Sequence, residues 1–276
     1  MKVKWLIEDY ENDCSLNPIM DEIKKQGMTY EVVKYEPWAS GTFNQYPNDE
    51  DCVVFYGTLN LGRQLQKTKV WVPGVYCNFK NLCCLTYYSH WGKYLFNQDY
   101  IMLPMMEIKR KQDEIYEQFG IDETIFIRPD SGAKTFTGQT LAKEMIEKEF
   151  KLFGSYASKP LDEIIAIVSS PKVIEAEWRC VIVDRKLVAW SQYKKDGKRD
   201  IQNIIDSGAF SLASYISKEE WQPDIAYTLD ICKSNGDYFL LEANSFSCSG
   251  LYDCNPEPIV REISKAALKE WKDYYE

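Results

Sequence analysis

The chain has 276 residues, 45% of them hydrophobic, which is enough to bury a sizeable core in two or three lobes. Asp and Glu outnumber Lys and Arg by 42 to 33, and the net charge of −9 argues against broad, sequence-independent binding of nucleic acid. The overall charge does not exclude a local basic pocket that binds a small anion. The nine cysteines form no Cys-x-x-Cys pair and His90 is the single histidine, which argues against a zinc site.

The cysteines and the amino terminus predict where the protein resides. An odd number of scattered cysteines is typical of reduced thiols in a cytoplasm. Strand-like residues follow Met1 at once, without a basic-then-apolar leader. No apolar run approaches the ~18 residues that span a bilayer. We therefore expect a cytoplasmic protein with no membrane partner.

Residues 1–103 alternate short apolar strands with helical patterns, the rhythm of an open α/β sheet with parallel strands. The segment from Gly57 to Gly62 lacks the third glycine of a dinucleotide fingerprint, so we expect it to serve as scaffold. The predicted strands cover residues 2–7, 30–35, 52–56, 70–72 and 100–103, and the predicted helices cover residues 17–26 and 59–66.

A charged helix is predicted to begin at Pro104 and to run through Gln118, with Gly120 closing it. Proline at the start and glycine past the end are the asymmetry that helices favour. Residues 104–122 are therefore predicted to be a connecting helix between lobes.

The segment 123–138 predicts a strand that carries Arg128, followed by a loop of Ser, Thr and Gly residues that carries Lys134. Backbone N–H groups and hydroxyls in such a loop can wrap phosphate oxygens, while Lys134 supplies a mobile charge and Arg128 a forked contact. It is not a Walker A loop, because no Gly-Lys-Ser/Thr follows four spacer residues. A solvated hairpin tip with an incidental lysine is the alternative, and this segment alone favours neither.

Residues 164–193 predict three antiparallel strands, and the middle one carries Glu177 and Arg179. Side chains two apart on a strand point the same way. This charged pair therefore either lines a polar site or lies on the wet face that an antiparallel sheet ordinarily has.

A hairpin with a Ser-Asn-Gly-Asp turn is predicted for residues 227–244, and it carries Asp230, Glu242 and Asn244. Alternation along the two strands would place these three oxygen donors on one face. Such a donor set is what a magnesium ion bound to a nucleoside triphosphate needs. Apolar residues four apart then predict a packing helix over Pro256–Tyr275.

Taken in order, these motifs resemble the ATP-grasp superfamily, and within it the divergent "R two K" clade of phage and bacterial proteins. The resemblance implies an α/β and α+β fold with a Rossmann-like pre-ATP-grasp lobe (1–103), a connecting helix (104–122), a small ATP-grasp lobe (123–170) and a large ATP-grasp lobe with the metal site (171–276). The ATP-binding lobes would be built on antiparallel sheets. The motifs that carry the resemblance are Arg128-Pro-Asp-Ser-Gly-Ala-Lys134-x-Phe-x-Gly138, Glu177-Trp-Arg179-Cys and the run from Glu242 to Tyr252.

The resemblance also implies the role of each residue. One departure is that Arg128 stands where the family usually presents a lysine, and another is that no acidic partner for the ribose is evident. Asp230, Glu242 and Asn244 would bind Mg²⁺, Arg128 and Lys134 the phosphates, Arg179 the γ-phosphate or acylphosphate with Glu177 orienting it, backbone at Ile167, Val168 and Ser169 the adenine edge, and Lys172 a phosphate or the hinge.

The activity implied by the resemblance is ATP-dependent ligation of a carboxylate to an amine through an acylphosphate, on a peptide, a protein or a small amino compound. Arg179, Lys134 and Arg128 would be the catalytic cations, and ATP and Mg²⁺ the cofactors. An ATP-bound assembly chaperone without ligation is an alternative, because the clade includes a eukaryotic chaperone for assembly of a translation initiation factor. A phosphotransferase is the other alternative. The resemblance favours the cytoplasm of a bacterium or of a phage-infected host.

Overall fold

The computed structural model of the chain describes residues 2–9, 15–34, 50–132, 135–157 and 159–276. By its internal contacts the chain divides into unit 1, which is Met1–Asn78 with Ile174–Glu276, and unit 2, which is Phe79–Val173. Unit 1 is therefore built from both ends of the chain. These limits differ from the four predicted segments, whose boundaries stay a prediction.

The described residues form thirteen strands and eight α-helices. In chain order they are β1 (Lys4–Glu8), α1 (Leu16–Lys25), β2 (Thr29–Val33), β3 (Cys52–Tyr56), α2 (Leu59–Thr68), β4 (Val72–Gly74), α3 (Cys84–Trp91), β5 (Tyr100–Pro104), α4 (Met105–Arg110), α5 (Gln112–Phe119), β6 (Thr124–Pro129), β7 (Gln139–Ala142), α6 (Ile146–Tyr156), β8 (Ile165–Ser169), β9 (Ala176–Val183), β10 (Lys186–Lys195), β11 (Lys198–Gln202), α7 (Ser207–Ile216), β12 (Ala226–Ser234), β13 (Asp237–Ser245) and α8 (Pro256–Tyr275).

In unit 1, a four-stranded parallel sheet has the order β2-β1-β3-β4. Both faces of its inner strands are apolar. Trp5 and Ile7 of β1 lie in one core cluster, whereas Leu6 lies in another cluster together with Leu61 of α2. Successive side chains of a strand project to opposite faces, so a sheet covered on both sides needs continuous apolar runs. The predicted α/β fold is confirmed, although the fifth predicted strand belongs to β5 in unit 2.

The second sheet of unit 1 is antiparallel, with the order β11-β10-β9-β12-β13. Asn235 and Gly236 join β12 to β13 in left-handed conformations, with φ of 52° and 83°. This is the turn that an Asn-Gly pair favours between antiparallel strands. Phe246, which follows β13, packs in one core with Trp5 of β1 and with Ile259 of α8. The two sheets of unit 1 therefore share a core.

Unit 2 contains a four-stranded antiparallel sheet with the order β5-β8-β6-β7 and a core of its own. The segment predicted as one connecting helix forms two, because the backbone leaves the helical region at Lys111 (φ −104°, ψ 23°). Both helices bury apolar side chains in this core, including Ile108 of α4 and Ile115 of α5. Packing therefore decides the break, since the sequence has no proline or glycine there. Within the described ranges, none of the helices is long and apolar enough to cross a membrane.

Candidate active site

The predicted ligand residues of unit 1 lie on three adjacent strands of the antiparallel sheet, β9, β12 and the edge strand β13. Asp230 of β12 stands opposite Glu242 of β13 and, on its other side, opposite Arg179 of β9. Asn244 lies two residues beyond Glu242 and so projects to the same face. The fold thus brings together the three oxygen donors and one of the predicted cations.

Arg179 and Asp230 form a buried bidentate ion pair. Nε and one terminal nitrogen of Arg179 donate to the two carboxylate oxygens of Asp230, each over 2.7 Å. The other terminal nitrogen donates to the Gly250 carbonyl over 2.8 Å. Arg179 is 5% exposed and Asp230 is 1% exposed. A guanidinium has five N–H donors, and three of them bond to protein atoms here, whereas the other two have no hydrogen-bond partner among the described residues.

Two tyrosines pack against this guanidinium. The rings of Tyr193 and Tyr252 stack with their centres 4.7 Å apart, and the guanidinium carbon lies 5.9 Å from the first ring centre and 5.2 Å from the second. Such contacts attract a cation and restrict its rotation. The Tyr193 hydroxyl donates to Glu177 over 2.5 Å, and Lys194 lies 2.9 Å from the same carboxylate. Glu177 therefore reaches Arg179 through the Tyr193 ring.

The carboxylates of Asp230 and Glu242 lie close enough to interact. Burial raises the pKa of the Asp230 carboxyl, Arg179 opposes the rise, and the hydrogen bond and negative charge of Glu242 add to it. The side-chain nitrogen of Asn244 donates to Glu242 over 2.8 Å, which directs the Asn244 carbonyl oxygen elsewhere. Two adjacent carboxylates and an amide oxygen are a donor set that a hard divalent cation would neutralise.

The buried hydroxyl of Thr228 also indicates that a ligand binds on the face that carries Asp230, Glu242 and Asn244. Thr228 stands opposite Asn244, is fully buried, and its hydroxyl has no hydrogen-bond partner among the described residues. A buried polar group ordinarily finds a partner, so one supplied by a ligand or water is expected. Within the described ranges, no three His, Cys, Asp or Glu side chains form a metal centre. The residues fit Mg²⁺ that completes its shell with phosphate and water oxygens.

The predicted phosphate residues belong to unit 2. Arg128 lies on β6, near Asp130; burial raises the pKa of Asp130 and Arg128 opposes that rise. Lys172 donates to the Asn97 side chain over 3.0 Å and to the Ser170 carbonyl over 3.2 Å. Lys134 lies outside the described residues.

The predicted adenine residues Ile167, Val168 and Ser169 lie on β8, which pairs with β5 on one side and with β6 on the other. The peptide groups of an inner strand are engaged in the ladders on both sides. Ser170, the first residue after β8, is therefore the first whose peptide groups lie outside the two sheet ladders. The Ser169 hydroxyl is fully buried and has no hydrogen-bond partner among the described residues.

Three contributors to this site escaped sequence reasoning: Tyr193, Thr228 and the Gly250 carbonyl. Their places in the site depend on strand pairing and on contacts between segments that are apart in sequence. Tyr252 lies in a motif singled out above, but its ring contact with Arg179 needs the fold. A tyrosine at the end of a charged strand was the available signal for Tyr193.

A family profile decides the affiliation of the chain. The profile described as "ATP-grasp domain, R2K clade family 2" matches residues 107–261, which is more than half of the chain. The chain belongs to this R2K family. The matched region begins in α4 and ends in α8, so it contains all strands from β6 to β13 and all the described residues of the candidate site.

Solved structures agree with the R2K affiliation at the level of fold. D-cycloserine synthetase DcsG aligns with a TM-score of 0.64 at 11% identity over 96% of this chain and 99% of its own. D-alanine–D-alanine ligase from Bacillus anthracis, complexed with ATP, gives 0.61 at 14% identity over 99% and 100%. The ATP-grasp ligase PsnB, complexed with a minimal precursor, Mg and ADP, gives 0.54 at 12% over 97% and 98%. The predicted ATP-grasp fold is confirmed. A search of curated protein sequences gives no match for this R2K chain.

Proposed function

We propose that this R2K chain is a Mg²⁺-ATP-dependent ligase that joins a carboxylate to an amine through an acylphosphate, on a peptide, a protein or a small amino compound. The observation that carries the proposal is the buried face on which Arg179, Asp230, Glu242 and Asn244 meet. Paired oxygen donors beside a fixed guanidinium suit the screening of phosphate oxygens during phosphoryl transfer.

Asp230, Glu242 and Asn244 are the proposed residues that hold Mg²⁺. When bound, the ion would supply positive charge next to the phosphates of ATP. Glu242 is central to this set, because it contacts both of the other members. It thereby orients the Asn244 side chain and places two carboxylates at one point.

Arg179 is the proposed contact to the γ-phosphate and to the acylphosphate. Asp230 and Gly250 hold its guanidinium in place, so its two remaining N–H donors are oriented before a ligand arrives. Donors that are already oriented stabilise developing charge without reorganisation. Arg128 and Lys134 are proposed to bind phosphate oxygens as further catalytic cations, and Glu177 to support Arg179 through Tyr193.

The proposed reaction brings anions together. A substrate carboxylate oxygen attacks the terminal phosphorus of ATP, the bond from that phosphorus to the bridging oxygen breaks, and ADP leaves. The positive charges of Arg179, Arg128 and Lys134 reduce the repulsion between the reacting anions. An amine nitrogen then forms a bond to the activated carbonyl carbon, the bond from that carbon to the phosphate oxygen breaks, and phosphate leaves while the nitrogen loses a proton to solvent. Forming the acylphosphate first makes the second step possible, because phosphate is a better leaving group than the oxide ion that a free carboxylate would have to expel.

The adenine edge is proposed to meet the end of β8, as the sequence predicted for Ile167, Val168 and Ser169. Since these peptide groups are engaged in sheet ladders, the backbone from Ser170 to Lys172 is the proposed hydrogen-bonding partner. The orphan hydroxyl of Ser169 supports a ligand at this end of the strand.

A cavity of about 390 Å³ in unit 1 is the proposed site for the amine substrate. Tyr252, whose ring packs on Arg179, is one of its walls, and Asp253 lies beside it. The volume is in the range of small-ligand pockets. Walls that mix apolar side chains with polar ones, among them one carboxylate, would suit a positively charged amine on an apolar group. The lining residues are Ser15, Pro18, Ile19, Ile201, Leu251, Tyr252, Asp253, Cys254 and Pro256.

The proposed location is the cytoplasm, of a bacterium or of a phage-infected host. Its support is that all eight cysteines among the described residues are free thiols. Free thiols of this number are typical of a reducing compartment.

Hydroxylamine provides the test of the proposed reaction. With Mg²⁺, ATP and a panel of amino acids and peptides, we expect a hydroxamate of one carboxylate to form together with an equal amount of ADP. Because hydroxylamine replaces the amine, the assay needs only one of the two unknown substrates. Arg179→Lys should lower the rate about 100-fold, as loss of an oriented donor does elsewhere.

Two outcomes would replace the proposal. A phosphorylated product that is stable to hydroxylamine would indicate a phosphotransferase. Tight binding of Mg²⁺-ATP with no ADP formed from any carboxylate, and with a stable protein partner, would indicate an assembly chaperone.

A further inference from the structure

The turn that follows Asn244 is attached to the parallel sheet of unit 1 by hydrogen bonds from several segments. The Ser247 carbonyl accepts from the backbone N–H of Gly57 over 2.8 Å, and the Ser247 N–H donates to the Tyr76 carbonyl over 3.2 Å. The Ser247 hydroxyl accepts from the Tyr76 N–H over 2.9 Å. The turn therefore has a fixed position relative to β3.

Tyr56, the last residue of β3, extends this attachment toward the candidate site. Its hydroxyl donates to the Ser249 carbonyl over 2.9 Å and lies 3.0 Å from the Ser15 hydroxyl. Because the single Tyr56 proton goes to Ser249, Ser15 must donate to Tyr56. The oxygen of Ser15 in turn accepts from the backbone N–H of Leu251 over 3.5 Å. Tyr56 is fully buried and Ser15 is 4% exposed.

These two contacts bracket one residue. Tyr56 holds position 249 and Ser15 holds position 251, so the intervening Gly250 has little freedom to move. The Gly250 carbonyl is the acceptor for a terminal nitrogen of Arg179 over 2.8 Å. Two hydrogen bonds, joined by the backbone between Ser249 and Gly250, therefore connect β3 of the parallel sheet to the guanidinium on β9.

We propose that Tyr56, with Ser15, is a positioning residue that fixes Arg179 for the nucleotide phosphate through the Gly250 carbonyl. The assignment rests on the proposed role of Arg179. It makes the amino-terminal sheet part of the active-site machinery, although the family profile starts only at residue 107. Neither residue is among the proposed contacts to the phosphates of ATP, and both act on Arg179 through the turn, although Ser15 also lines the cavity proposed for the amine.

Tyr76 provides a matched control for Tyr56. Both rings are buried and both pack around Phe246, with ring centres 5.8 Å away for Tyr56 and 6.5 Å away for Tyr76. The Tyr76 hydroxyl donates instead to Glu270 of α8 over 2.7 Å, away from the turn. Its contacts to Ser247 use the backbone, so Tyr76→Phe leaves them intact. The two Tyr→Phe changes remove the same atom from the same aromatic cluster.

The test combines nucleotide affinity with a signal from Arg179 itself. Dissociation constants for ATP and ADP with Mg²⁺ would be measured on the full chain for the wild type, Tyr56→Phe, Ser15→Ala, Tyr76→Phe and Arg179→Lys. The Nε–H resonance of Arg179, assigned by its loss in Arg179→Lys, would be followed without nucleotide. We expect Tyr56→Phe and Ser15→Ala to lower the preference for ATP over ADP about fivefold, the effect of one hydrogen bond, and to speed Nε–H exchange.

Tyr76→Phe should change either quantity less than about twofold. If Arg179→Lys lowers the ATP preference but Tyr56→Phe and Ser15→Ala behave like Tyr76→Phe, the positioning role is wrong and the proposed function stands. If the wild type fails to bind ATP with Mg²⁺, the proposed function is wrong, and this assignment falls with it. Should Tyr56→Phe fail to fold, Ser15→Ala, which removes only a hydroxyl, decides the question.

Discussion

At the scale of single residues, the buried pair of Arg179 and Asp230 is the feature with the largest consequences. Each partner neutralises the other where water is excluded, and the two 2.7 Å bonds are of the bidentate kind. Burial alone would lower the pKa of Arg179, but Asp230 raises it above its usual value. The guanidinium is therefore a permanent charge, and its orientation is set by Asp230.

Removing only one partner of this pair should destabilise the protein strongly. We expect Arg179→Met to cost about 3–5 kcal/mol of unfolding free energy, because Asp230 is left as an unpaired buried group. Arg179→Met with Asp230→Leu should recover most of that loss. Urea unfolding followed by tryptophan fluorescence measures both. A single variant as stable as the wild type would show that the pair is not formed.

Asp224 should make stability depend on pH. Burial raises its pKa to about 7, and Glu270 adds to the rise, while the backbone N–H groups of Ile225 and Asn78 oppose it. In the unfolded chain an aspartate titrates near its ordinary pKa of about 3.9. Between these values the folded protein holds a proton that the unfolded chain has lost. The unfolding free energy should therefore fall as pH rises from about 4 to 7, by up to ~1.4 kcal/mol per pH unit.

Asp224→Asn should make the slope less steep by up to this amount and leave the contributions of other buried carboxyls such as Asp230, and the unfolding free energy measured at pH 5, 6, 7 and 8 would show it. Asp237→Asn, at an exposed position of the β12–β13 hairpin, is the control that should keep the slope. Equal slopes in the wild type and Asp224→Asn would contradict the assignment.

At the scale of secondary-structure elements, local sequence signals predicted the individual strands of the site better than they predicted which strands pair with each other. The β12–β13 hairpin follows from the alternation and from the Asn235-Gly236 turn, but the register that this turn sets would pair Asp230 with Leu241. A register shift between Asp230 and Ile231 places Glu242 opposite Asp230 instead, and no local signal predicted that shift. The pairing of β9 with β12 could not be predicted, because β10, β11 and α7 intervene. The contact of Arg179 with Asp230 depends on that pairing.

Other elements of the fold were likewise predicted from local signals, whereas their pairing partners were not. Residues 100–103 were predicted correctly as a strand, but β5 pairs with β8 more than sixty residues later, and no local feature selects that partner. The helix α8 was predicted with its full extent from the apolar residues four apart, and its first turn also has local stabilising features, with Pro256 at the start and a cap at Asn255. The Asn255 side chain accepts from the Glu257 N–H over 3.1 Å.

Gly208 of α7 lies so close to the ring of Tyr238 that adding one methyl group at this position should lower the stability of the protein. A Cβ added to Gly208 would come within 2.1 Å of the Tyr238 ring on β13. Gly208→Ala should therefore cost about 1–3 kcal/mol by overpacking, even though alanine is the better helix former. Ser211→Ala, at an exposed position of the same helix, should be neutral or slightly stabilising. Urea unfolding of both variants tests this, and a stabilised Gly208→Ala would contradict it.

At the scale of the whole molecule, unit 1 is discontinuous in sequence and unit 2 is continuous. The core of unit 1 joins Trp5 and Tyr56 from the amino-terminal part to Phe246 and Ile259 from the carboxyl-terminal part. Neither part can bury these side chains alone. Unit 2 has a separate core drawn from Phe79–Val173.

The two units should therefore differ when excised. Residues 79–173 should fold alone, with a dispersed amide spectrum and a cooperative thermal transition. Residues 107–261, the region that the family profile matches, should not, because they lack β1 and β3 and the end of α8. Amide spectra of the two fragments at equal concentration decide this, and a folded 107–261 fragment would show that the parallel sheet is dispensable.

Titration calorimetry with Glu242→Gln tests most directly whether one face of unit 1 holds Mg²⁺ for ATP. The wild type should bind ATP more tightly with Mg²⁺ than without, and Glu242→Gln should lose at least about tenfold of affinity in Mg²⁺ but little in its absence, since a charged ligand of the ion is gone. Glu220→Gln, at an exposed position of the same unit, should match the wild type. Equal Mg²⁺-ATP affinity in Glu242→Gln and the wild type would show that Glu242 does not bind the metal ion.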